Sequence, residues 1–126
     1  MFMIPLFALF LFGPALADEV AFTQNAVEVK NRTDHPIACA AQLAHWFSAD
    51  LGVAAPGGAV RIDFMSDPAA GTVFIRNAGG ERMPVEAAWC GVEGRVWETR
   101  YQLDLAKAGG GGVTCDAVAE ERLSCR

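Results

Sequence analysis

The run RVWETRYQLDL, residues 95–105, is where the fold class is decided. Trp97, Thr99, Tyr101, Leu103 and Leu105 fall on one parity, and Val96, Glu98, Arg100, Gln102 and Asp104 on the other. Alternation over this length is the period of a strand with one apolar and one mostly wetted face. Trp, Thr and Tyr also suit a pleated surface. A helix would scatter the same residues around its circumference. The spacing predicts a long strand over 95–105, with Trp97 and Leu103 facing the core. Its sheet should be antiparallel, because parallel sheets bury both faces and read as continuous apolar runs.

The rest of the chain follows the same pattern. Residues 26–31 alternate around Val27 and Val29, and turn formers from Asn31 to Pro36 should close that strand. Residues 37–47 place Ile37, Cys39, Ala41, Leu43, His45 and Phe47 on one parity. Ala40, Ala41, Leu43, Ala44 and Phe47 also fit a helical stripe, and strand is the favoured assignment. Residues 49–58, with Gly52, Pro56, Gly57 and Gly58, read as a loop. Val60, Ile62 and Phe64 mark a strand, and 72–77 another, followed by an Asn77-Ala78-Gly79-Gly80 turn. In 81–90, Met83, Val85, Ala87 and Trp89 share a face, with Pro84 suggesting an edge or a bulge. A polyglycine loop at 107–112 precedes a C-terminal hairpin over 113–126, its tip at 119–121. About seven or eight short strands with no long helix predict an all-β fold, a small antiparallel β-sandwich, with a small β-barrel as the alternative.

Residues 1–17 carry no charged side chain and end in Pro14-Ala15-Leu16-Ala17, before Asp18. Ala15 and Ala17 are small residues at the spacing a signal peptidase accepts, although the n-region has only its terminal amine as a charge. The apolar run is short for a bilayer span, and Gly13-Pro14 would break a helix near its end. The expectation is a signal peptide at 1–17 and a single disulfide-stabilised β domain at 18–126, with no stable membrane span after cleavage. Eight arginines against two lysines fit a GC-rich bacterial genome, and the expected location is periplasmic or secreted. The net charge of −5, without a basic run, disfavours nucleic acid as a partner.

Cys39, Cys90, Cys115 and Cys125 all follow the leader, and an even count in an oxidising compartment implies two disulfides. A hairpin tip at 119–121 sets Val118 against Arg122, Asp116 against Ser124, and Cys115 against Cys125. Cys39 is then left with Cys90, a bridge expected between distant strands and between the two sheets. Cys90 has the parity opposite to Val85 and Trp89, so an inward Cys90 needs a bulge, at Pro84 or Gly91. The spacing has no CxxC pair, which argues against a redox or zinc motif.

Few residues suggest chemistry. His35 and His45 are weak candidates for metal ligands, with no HxxxH or Met run beside them, and no cofactor is expected. Ser48 and Asp50 follow His45, yet strand parity would send His45 and Ser48 to opposite faces, and there is no G-x-S-x-G, HExxH or phosphate loop. Trp46 has the parity opposite to Phe47. It either points away from the core as a contact residue or packs under the loop 49–58. The sequence therefore suggests an exported, non-enzymatic binding or accessory module that contacts a periplasmic protein or a cell-envelope component. An exported metal-binding protein, and a small hydrolase or hydrolase inhibitor, are the alternatives.

Overall fold

The computed structural model describes residues 23–107 and 111–126 together with Met3, and of Trp46 and Lys107 only the backbone. The expected signal peptide at 1–17 otherwise lies outside the described residues. The fold is all-β, as the alternation predicts. The described strands are β1 (Thr23–Asn31), β2 (Ile37–Leu43), β3 (Ser48–Ala54), β4 (Ala59–Asp67), β5 (Thr72–Arg76), β6 (Arg82–Val92), β7 (Tyr101–Gln102), β8 (Gly112–Ala119) and β9 (Arg122–Cys125). They form one continuous sheet in the order β3-β2-β6-β5-β4-β1-β8-β9, with β7 added to β6, and it does not close into a barrel.

The two expected layers are halves of this one sheet, joined through β6. Arg82, Met83 and Pro84 pair with β5, and the stretch from Val85 to Val92 pairs with β2. Inward residues of both halves form one core, in which Val27, Val29, Ile62 and Phe64 meet Ile37, Cys39, Ala41 and Leu43. Pairing is antiparallel except between β1 and β8, which run parallel. Alternation explains the strands around that core: Val27, Val29, Ile62 and Phe64 are buried, while Glu28, Lys30, Arg61 and Asp63 are exposed.

The stretch 95–105 departs most from expectation. Val96–Thr99 form a short helix, α1, only Tyr101–Gln102 pair as strand, and Leu105–Lys107 form a 3-10 turn. Local hydrogen bonding outweighs the alternation here. Gly94 supplies a φ of 85°, and Arg95 N donates to Val92 O at 2.8 Å. The fully buried Thr99 hydroxyl then accepts from Val92 N at 2.8 Å and donates to Arg95 O at 2.7 Å. Gly91 makes room beneath, since a Cβ there would stand 2.3 Å from Val96 O. Trp97, expected inside, is 57% exposed, whereas Leu103, at 6%, is in the core as expected.

Four smaller corrections follow. The strand expected over 37–47 ends at Leu43, where a 3-10 turn (Ala44–Trp46) with His45 at φ 67° leads into β3. Most of the loop expected at 49–58 is strand β3, with an extra residue, Leu51, opposite β2, and only the residues after Ala54 turn. The bulge on β6 falls at Glu86 rather than at Pro84 or Gly91, because Leu43 pairs with Val85 but Gln42 pairs with Ala87. That extra residue shifts burial from Val85 to Ala88 and Cys90 and leaves Trp89 on the other face. The C-terminal hairpin has a two-residue tip, Glu120 and Glu121, both at positive φ as in a type I′ turn.

Both disulfides join neighbouring strands. Cys39 and Cys90 are direct cross-strand partners on β2 and β6, so this bridge does not span two sheets. Cys115 and Cys125 pair across β8 and β9, with Asp116 as the bulged residue that restores their register.

Candidate contact surface

The outer face of β2 and β6 is built by the Glu86 bulge. With Cys39 and Cys90 turned inward, their neighbours Ala38, Ala40 and Trp89 point outward, and Trp89 lies between Ala40 on β2 and Gln102 on β7. Val53 on β3, 51% exposed, sits across from Ala38 and extends the same face. α1 rests on this face at Gly91 and carries Trp97 beside Trp89, with ring centroids 5.2 Å apart and planes at 77°. Edge-on pairs of this kind contribute about 0.5–1.5 kcal/mol beyond area burial.

Arg100 completes the group. Its guanidinium carbon lies 3.7 Å from the Trp97 ring centroid, and its Nη1 donates to Trp97 O at 2.8 Å. A stacked cation of this sort is worth about 0.5–1 kcal/mol at an exposed site. More usefully for recognition, it holds an otherwise mobile side chain in one orientation. Two tryptophans and an arginine on a face of small alanines form a surface rich in the residue types that dominate binding energy at interfaces.

The residues singled out from sequence are placed as follows. Trp46 ends the 3-10 turn after β2, so strand parity does not decide its direction, and its side chain lies outside the described residues. His35 and His45 are exposed in separate turns. Among the described residues, no three His, Cys, Asp or Glu side chains gather closely enough to hold a metal ion. His45 shares no hydrogen bond with Ser48 or Asp50, both exposed on β3. Cys39, Cys90 and Cys115 are buried in their bridges, and Cys125 is partly exposed. Asn31-Arg32-Thr33 also has the N-x-[ST] spacing of an N-glycosylation acceptor, but it is closed to modification in the folded chain. Asn31 is 1% exposed, its Nδ2 donates to His35 O and Ala54 O, and its Oδ1 accepts from the Thr33 amide and hydroxyl.

Trp89, Trp97 and Arg100 were hidden from parity reasoning. Two signals could have exposed them: Trp97 and Arg100 stand three apart, a helical neighbour spacing, and Gly91 and Gly94 bracket a turn just before them. A second feature is a cleft of about 180 Å3 lined by Val27, Phe64, Tyr101, Leu103 and Gly112. Among the described residues no helix is long and apolar enough to cross a membrane, and the two disulfides fit an oxidising compartment. Comparison with protein-family models, with curated proteins and with solved structures finds no match.

Proposed function

We propose that this protein is an exported, non-enzymatic binding or accessory module whose partner is another protein of the periplasm or cell envelope. The observation that carries this reading is the exposed Trp97, stacked with Arg100 and set against Trp89 on the outer face of β6. A side chain that large, left outside a domain with its own closed core, does little for folding and much for association. The contact role expected of Trp46 is carried forward beside it, since the turn bearing Trp46 leads directly into β3. Periplasm is the finer location we propose within an oxidising environment, on the strength of the signal peptide expected at 1–17 and the two bridges.

The test is affinity capture from periplasmic extract with the wild-type protein, Trp97→Ala and Trp46→Ala as baits. The expected result is a partner retained by wild type and lost with Trp97→Ala while the variant stays cooperatively folded. Equal capture by wild type and both variants would remove this surface, and Trp46 with it, from the function.

A further inference from the structure

The Arg100 guanidinium carries more information than the rings it touches. It has five N–H donors, and one nitrogen, Nη1, is used, on Trp97 O. No carboxylate pairs with it among the described residues, although the chain is acidic overall. Arg95, at the other end of α1, does have a partner, Glu121 at 3.8 Å. Arg100 is thus fixed against an indole, partly desolvated, and left with an open donor fork. A carboxylate is the group whose geometry fits such a fork with two parallel bonds. The ring beneath is less suited to stacking a sugar: Arg100 already covers Trp97 at 3.7 Å, and Trp89 stands at 77° to it.

We propose that Trp89, Trp97 and Arg100 dock an acidic, apolar-rich segment of a partner protein, its carboxylate on Arg100 and its apolar side chains over Trp97, Ala40 and Val53. This rests on the contact-surface reading above and names the chemistry of the partner. Charge complementarity also gives the proteins a reason to meet in one register, because the fork is an oriented cation set beside the exposed Trp97 and Val53.

The experiment is an NMR titration of the purified, 15N-labelled protein with three probes. One is a short peptide alternating Glu with Leu and Phe, the second is the same peptide with Gln for every Glu, and the third is a soluble β-linked gluco-oligosaccharide. The acidic peptide should shift the Trp97 Nε1–H and Arg100 Nε–H signals and bind about tenfold or more tightly than the Gln peptide at low salt. The difference should collapse at high salt and in Arg100→Met, and Arg100→Lys should recover only part of it. A dispersed spectrum for both variants shows that the fold is kept. Equal binding of the two peptides at Trp97 overturns the carboxylate inference while leaving the contact surface standing. Shifts from the oligosaccharide alone overturn it in favour of a sugar. No shift at Trp97 or Arg100 with any probe overturns it and removes the support for the surface itself.

Discussion

Gly91→Ala is the substitution whose sign separates a helix at residues 96–99 from a strand there. The Gly91 backbone lies outside the positive-φ region, so alanine fits its conformation. Were 95–105 a plain strand, the change would be neutral or would stabilise by about 0.4–1 kcal/mol, through the unfolded chain alone. With α1 seated on β6, the new Cβ would stand 2.3 Å from Val96 O, 2.8 Å from Val96 Cα and 2.9 Å from the Thr99 hydroxyl. Two of these atoms are backbone and cannot rotate away. Forcing a methyl into such a contact costs about 1–3 kcal/mol. Lifting α1 instead would break the Thr99 hydroxyl bonds to Val92 N and Arg95 O, each worth about 0.5–1.5 kcal/mol, so relief by movement costs a similar amount. The expected outcome is a lower urea midpoint at unchanged slope, together with a shifted Trp97 indole Nε1–H signal. A variant as stable as wild type, or more so, would refute the placement of α1 and with it the surface described above.

Three further outcomes are expected. Trp97→Ala should cost about 1–2.5 kcal/mol, the combined scale of its two ring contacts, whereas Leu103→Ala should cost about 2–5 kcal/mol, and thermal melts of the pair measure the contrast. Replacing both cysteines of a bridge by alanine should cost about 4 kcal/mol for Cys39–Cys90, which are 51 residues apart, and about 3 kcal/mol for Cys115–Cys125, which are 10 apart, in the chain-entropy account. Denaturant unfolding compares them, and the reverse order would sink that account here. Intact-mass analysis of the exported protein should find a chain beginning at Asp18; a chain retaining Met1 would point to an anchor instead.

What the sequence made legible follows the range of the interactions involved. Strands β1 and β4 were readable because one rule, apolar in and polar out, operates through Val27–Lys30 and Arg61–Phe64, while β5 is a short apolar run, Val73–Ile75, bounded by turn formers. The disulfide pairs were readable because four cysteines on strands leave few registers. Even so, Cys115–Cys125 was reached through a three-residue tip, where the molecule uses a two-residue tip and a bulge at Asp116. Residues 95–105 misled because period 2 is only a statement about side-chain polarity. It does not register that Thr99 can satisfy Val92 N and Arg95 O, nor that Gly91 leaves space for a helix to settle. The Trp97–Arg100 surface was lost with that strand. Strand β3 was missed for the converse reason: Gly52, at φ 121°, sits within a paired strand, where glycine normally argues for a loop.

The inserted residue at Glu86 links the core to the surface. Without it, Trp89 would keep the parity of Val85 and enter the core, and Cys90 would turn outward, away from Cys39. With it, Cys90 and Ala88 are buried, the Cys39–Cys90 bridge closes between direct partners, and Trp89 is left on the outer face, where Trp97 can meet it. The bridge and the aromatic surface are therefore two results of one register shift. The bridge in turn holds that register, because a slip of one residue between β2 and β6 would separate the two sulfurs. A domain with a modest core has reason to lock a bulge covalently, since the bulge alone weakens the ladder it interrupts. In this fold the lock stands next to the residues we assign to recognition: Cys90 adjoins Trp89 in sequence and pairs with Tyr101 on β7, immediately after Arg100.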